Sequence, residues 1–220
     1  PKLNGNYIPI IDELKILKSL PKLINIPTKR NINNYIDYKT PLNEYKPKII
    51  FKSLPVSRIK LLKSKYKINF IDVLVSNICQ TIFNSSNKNK LNVCITVAFD
   101  SKYRFNNVGV ILIQIKKQNT IEELLTEVHK QIQNNKNMAY STYKLSNIYN
   151  YYDKNKFIDI IITSLCISKD KDIVLSSNEK LISCNPIFMF SIAPVFITCI
   201  TINDKIDLTY CIRSNEINMN

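Results

Sequence analysis

Histidine appears once in this chain of 220 residues, glycine twice and tryptophan not at all, and each shortage removes a class of function. With only Gly5 and Gly109 available, neither a dinucleotide-binding fingerprint nor a P-loop can be written. One histidine and six cysteines without a Cys-x-x-Cys pair leave a Cys/His zinc site short of both ligands and spacing. The cysteines, at 79, 94, 166, 184, 199 and 211, fall mostly inside apolar runs such as Val93-Cys94-Ile95 and Leu165-Cys166-Ile167. A free thiol there behaves as a small buried hydrophobe, so a reducing, cytoplasmic compartment is expected. Long apolar runs are missing too. The longest, Ile187 to Ile202, is interrupted by Ser191, Pro194, Thr198 and Thr201 and is too mixed for a membrane span. No signal peptide is visible, and a start at Pro1 fits either loss of a preceding Met or cleavage from a longer precursor.

Arginine is the other scarce residue, with 4 against 27 lysines. Lysine, asparagine and isoleucine share A/T-rich codons, so their abundance reads as the base composition of the source genome and weakens any argument from lysine alone. The formal net charge is +14. Residues 1–67 hold 15 Lys+Arg against 4 Asp+Glu, and residues 68–220 hold 16 against 13, so the body is nearly neutral. Nucleic acid is possible for such a basic segment but not favoured, because arginine is the residue that reads phosphate and guanine bidentately. A solvated or partner-docking face is the preferred reading.

What is present in quantity is apolar: hydrophobic residues make up 45% and charged residues 22%, which makes a globular core the default. Seven of the nine prolines lie in residues 1–55, where they disfavour long helices and central strands. Residues 1–46 therefore read as an extended, basic, Pro-containing arm or crossover segment, with one short helix at Ile11 to Leu17, and residues 47–220 as an α/β domain. The domain opens with a strand at Ile49-Ile50-Phe51 and a short helix after Ser57. Ile71, Leu74, Val75, Ile78 and Ile82 then form one helical stripe behind Asn69 as cap. Leu91 to Phe99 and Val108 to Ile115 read as strands. Thr120-Ile121-Glu122-Glu123 is a capping box opening a helix with Ile121, Leu124, Leu125, Val128 and Ile132 inward. Further strands are expected near Phe157 to Leu165, Ile187 to Ile192, Val195 to Ile202 and Lys205 to Arg213, the last two joined by a tight Asn203-Asp204 turn.

Four stretches resemble the C-terminal half of the acyl-CoA-dependent acyltransferase superfamily, which includes peptide-synthetase condensation domains, wax-ester synthases and alcohol acetyltransferases. They are Leu54-Pro55-Val56-Ser57-Arg58-Ile59-Lys60 with Ile68-Asn69-Phe70-Ile71-Asp72-Val73-Leu74; Ile95 to Asp100 with Arg104 and Asn106-Asn107-Val108-Gly109; Phe157 to Leu165; and the closing hairpin Val195 to Arg213. The resemblance covers about residues 48–215 and implies a half domain with a mixed sheet flanked by helices. The family's chemistry rests on a His-His-x-x-x-Asp motif, which this sequence lacks.

No residue is assigned as catalytic. His129 lies at the edge of its helix's buried stripe and reads as a boundary histidine. Asp100, Arg104, Asn106 and Gly109 form the most specific polar cluster; as residues alone they make a strand-to-strand turn, with Gly109 hinting at a backbone requirement. The resemblance implies that this loop borders a channel where acyl donor and acceptor meet, with Arg104 orienting carboxylates and Asp159, Thr163 and Ser164 facing the same space. Tyr140, Tyr143, Tyr149, Tyr151 and Tyr152, interleaved with Lys144, Lys154 and Lys156, could stack on single-stranded nucleic acid, but a half-buried helix explains them better.

The expectation is a non-catalytic acyltransferase-like subunit that assembles with copies of itself or with a companion half. The alternatives are a subunit of a split acyltransferase whose histidines lie on another chain, and a basic viral structural or nucleic-acid-associated protein found in the virion. No cofactor or metal is expected; if the chain is active, acyl-CoA or another acyl donor enters as substrate.

Overall fold

The computed structural model describes residues 47–98, 108–144, 158–168, 181–187 and 193–213. The arm 1–46 with its short helix, the loop carrying Asp100, Arg104 and Asn106, and the tyrosines from Tyr149 onward lie outside the described residues. The elements run β1 (Lys48–Pro55), α1 (Val56–Tyr66), α2 (Phe70–Asn84), β2 (Lys90–Ala98), β3 (Val108–Lys116), α3 (Ile121–Lys144), β4 (Ile160–Ser168), β5 (Val195–Ile202) and β6 (Lys205–Ile212). The architecture is α/β, with a mixed sheet in the order β1-β6-β5-β4-β2-β3. Its central neighbours β5, β4 and β2 are parallel, while β1, β6 and β3 are laid on antiparallel.

All three helices cover one face. Alternation along the strands sends Leu91, Val93 and Ile95 of β2, Ile160 and Ile162 of β4, and Val195, Ile197 and Cys199 of β5 into one core with Leu74, Ile78, Ile82, Leu124, Leu125 and Val128 of the helices. A smaller apolar group, Cys94, Ile161 and Ala193, occupies the opposite face. Residues 181–187 form a strap on that second face: the Cys184 amide donates to Asp207 Oδ2 at 3.2 Å, and the Thr198 hydroxyl donates to the Pro186 carbonyl at 3.1 Å. The strand expected at Ile187 to Ile192 is not formed at Ile187, which belongs to this strap; residues 188–192 lie outside the described residues.

The helix boundaries follow local chemistry. Pro55 cannot cap α1 with a side chain, and the first amide, Val56, instead donates to the Asp204 carbonyl in the β5–β6 turn at 2.7 Å. That turn places Asn203 at φ 53, as its side chain tolerates, and α1 ends on Lys67 at the same φ. At α2 the Asn69 amide donates to Asp72 Oδ2 at 2.8 Å. At α3 the Glu123 amide donates to Thr120 Oγ1 at 3.2 Å while Glu123 reaches back to the Thr120 amide at 3.3 Å, the expected capping box. α3 runs on to Lys144, beyond the last residue of its apolar stripe, since neither Pro nor Gly intervenes. Tyr140 and Tyr143 therefore lie on its final turns.

Cys79, Cys94, Cys184, Cys199 and Cys211 are all free thiols. Burial pushes the Cys79 and Cys199 thiols up to about 12, so both are inert fillers of the core. No helix among the described residues is long and apolar enough to cross a membrane.

Candidate functional site

In a sheet with parallel central strands, ligands bind where neighbouring strands separate at their carboxyl ends. Here that place is between β2 and β4. Their ladder runs only from Val93↔Ile160 to Ile95↔Ile162, although β2 continues to Ala98 and β4 to Ser168. Past it β4 stays with β5 and β2 with β3, and the last link across is Thr96 Oγ1, 3.4 Å from the Ile162 carbonyl.

The residues singled out from the sequence distribute unevenly around this divergence. Gly109 sits on β3 opposite Val97, at the open end, and is buried. Gly109 does not take positive φ, so a left-handed backbone is not what the position requires, and the missing Cβ is the feature left. Thr163 and Ser164 lie on the diverging part of β4, but as strand neighbours they face opposite ways. Thr163 is in register with Thr198 on the strap side and Ser164 with the core residue Cys199 on the helix side.

Asp159 stands at the other end of β4, about 16 Å from Ser164 at about 3.3 Å per strand residue. Its carboxylate is enclosed: Lys88 Nζ lies 2.7 Å from Oδ1, and the Asn92 amide donates to Oδ2 at 2.7 Å. Its amide donates to the Asn92 carbonyl at 2.9 Å and its carbonyl accepts from Val195 at 3.2 Å. Asp159 thus pins the beginnings of β2, β4 and β5 together at the end where the ladder is closed.

The histidine has a partner that sequence reading did not supply. His129 Nδ1 on α3 lies 2.6 Å from Asp72 Oδ2 on α2, with the carboxylate fully buried and the imidazole about one-third exposed at 35%. Asp72 Oδ1 is buried without a hydrogen-bond partner. About two turns further towards the α3 N-terminus, the Tyr66 hydroxyl donates to Glu122 Oε1 at 2.7 Å. Both pairs fasten the α1–α2 junction to α3 on the helix layer. The spacing Asn69-x-x-Asp72 could have signalled the cap; nothing local signals a partner 57 residues away. Asp207 was also missed. It is buried on β6 and accepts from Ser53 Oγ at 2.6 Å and the Cys184 amide at 3.2 Å, with Lys205 Nζ at 3.2 Å. No three His, Cys, Asp or Glu side chains gather into a metal site among the described residues.

This arrangement, a mixed sheet backed by helices on one face with its central parallel strands diverging, is a condensation-domain-like fold. The EpoB cyclization-docking bidomain of a nonribosomal peptide synthetase from Sorangium cellulosum superposes with a TM-score of 0.62 at 11% identity, over 94% of this chain and 45% of that one. The epimerization domain from the third module of tyrocidine synthetase B gives 0.63 at 8% identity, over 96% and 53%. The wax ester synthase/diacylglycerol acyltransferase from Marinobacter aquaeolei gives 0.55 at 14% identity, over 94% and 52%. The chain therefore spans about half the length of these proteins, as a half domain does. No family model and no curated protein matches the sequence.

Proposed function

We propose that this chain is a non-catalytic half of a condensation-type fold that serves as an assembly subunit, packing against a second half contributed by another copy or by a companion chain. The observation that carries this reading is the fate of its sole histidine. His129 is bound to a buried carboxylate between two helices, and no other imidazole exists in the chain to serve the divergence between β2 and β4. Acyl transfer to a hydroxyl or amine calls for a base in reach of the attacking proton. The hydroxyls at the divergence, Thr96, Thr163 and Ser164, are too weakly basic to fill that role.

The divergence itself supports a second reading, a split acyltransferase in which a companion chain lays its own histidines over the open ends of β2 and β4. One experiment addresses both. The purified chain, supplied with acyl-CoA donors and alcohol or amine acceptors, is expected to show no transfer above the uncatalysed background. Turnover by the chain alone that disappears in His129→Gln would overturn the proposal. Turnover appearing only with a copurified polypeptide bearing His-His-x-x-x-Asp would establish the split enzyme instead.

A further inference from the structure

The positive charge of the described structure is concentrated in one place. Residues 47–67, β1 with α1 and its C-cap, carry six lysines and one arginine and no acid, whereas the other described residues carry nine cations against seven acids. All seven cations are exposed. Lys65 is occupied, with its Nζ 4.8 Å from the centre of the Tyr66 ring and Glu122 nearby. Arg58, Lys60, Lys63 and Lys67 make no ion pair with another of the described residues.

Their arrangement on α1 is more informative than their number. Val56 and Ile59 are buried, with Leu62 and Tyr66 half-buried beside them. At about 100° per residue the opposite crest carries Ser57, Leu61 and Ser64, with Lys60 and Lys63 on one flank and Arg58 and Lys65 on the other. Leu61 on that crest is 70% exposed. A large aliphatic side chain raised between two rows of exposed cations is the pattern of a helix lying on an anionic bilayer, its apolar crest among the acyl-chain boundary and its cationic groups at the headgroup phosphates.

Nucleic acid fits this face less well. Tyr66, the aromatic residue of α1, is half-buried with its hydroxyl held by Glu122, so the face offers no stacking platform. It has no Asn or Gln to read base edges, and Leu61 would meet phosphates. We propose that the outer face of α1 docks the protein peripherally on an anionic phospholipid surface. This surface lies on a helix remote in sequence from the β2–β4 divergence and does not depend on the reading of the chain as an assembly subunit.

The test is flotation of the full chain with phosphatidylcholine vesicles, with and without about 30% phosphatidylserine. Binding is expected only to the anionic vesicles, and most of it is released as salt rises from about 0.1 to about 0.5 M. The double variant Lys60→Glu/Lys63→Glu should lower partitioning by about tenfold or more, and Leu61→Ser by about threefold. A control with the same change in net charge, Lys130→Glu/Lys136→Glu on α3, should stay within about twofold of wild type. Circular dichroism confirms that each variant keeps the wild-type melting temperature, as expected for exposed side chains. Three results would overturn the proposal: no selectivity for anionic vesicles, equal losses in the α1 and α3 variants, or α1-dependent binding of DNA or RNA oligonucleotides without vesicle binding.

Discussion

Asp72 uses its two oxygens unequally: Oδ2 serves both the Asn69 amide and His129, while Oδ1 is buried without a partner. One residue therefore ends a helix and ties it to another. Asp72→Ala should cost about 2 kcal/mol, roughly half from the lost cap and half from the lost hydrogen-bond contact with His129. Urea unfolding with an unchanged m-value would register it as a lower midpoint. Asp207 gives a pH signature. Burial pushes its carboxyl up, but the hydrogen bonds from Ser53, Lys205 and the Cys184 amide outweigh that and hold it below the usual carboxylate value. A carboxyl depressed in the folded state stabilises above its unfolded value of about 3.9, and that contribution is lost as pH falls through the folded value. Thermal stability measured downward from about pH 5 should thus fall more steeply in wild type than in Asp207→Asn. Neither residue stood out in the sequence, because their partners lie 57 residues away for Asp72 and 154 for the Ser53–Asp207 pair.

At the scale of elements, local pattern was read well wherever one face is apolar. The stripe from Ile71 to Ile82, the Thr120–Glu123 box and the β5–β6 hairpin all appear where periodicity and turn chemistry put them. The strand expected from Ile187 to Ile192 is not formed at Ile187, because the strap to which it belongs bonds through its own Cys184 amide and Pro186 carbonyl to the side chains of Asp207 and Thr198 and not through a ladder. β4 begins later than Phe157 because Asp159 is drawn into the Lys88 and Asn92 contacts before the ladder starts. Thr163 and Ser164, adjacent on β4, face opposite sides of the sheet by simple alternation along a strand. A helix end offers a clean test of local conformation. Lys67 holds the left-handed C-cap of α1 at φ 53, a conformation that glycine adopts without the steric penalty of a Cβ. Lys67→Gly should therefore raise stability by about 0.5–1 kcal/mol, measured as a higher urea midpoint. An unchanged or lower midpoint would mean that the lysine side chain contributes packing of its own.

The whole molecule has two differently finished faces. The helix face is closed over by α1, α2 and α3, whereas the strap side retains Phe51 at 53% exposure, Leu165 at 54%, Ile182 at 80% and Ile187 at 46%. Phe51 is in register with Thr209, whose hydroxyl meets Asn185 of the strap, and Leu165 with Ile200, so strand alternation places these two on that side, while Ile182 and Ile187 belong to the strap itself. The outer edges of β1 and β3 have no further strand among the described residues. Open edges and contiguous apolar surface are features that proteins in water normally cover. Under the proposed assembly role they are covered by association, and closed symmetry between copies would repeat the same contact. Sedimentation at about micromolar concentration is expected to find an oligomer or a stable complex with a companion chain. Phe51→Lys and Leu165→Lys, each exposed and therefore harmless to the core, should shift the population towards monomer by about tenfold in the dissociation constant, since each places an uncompensated charge in the contact. A wild-type chain that remains a stable monomer at that concentration would show that the strap side needs no cover and that the half domain stands alone.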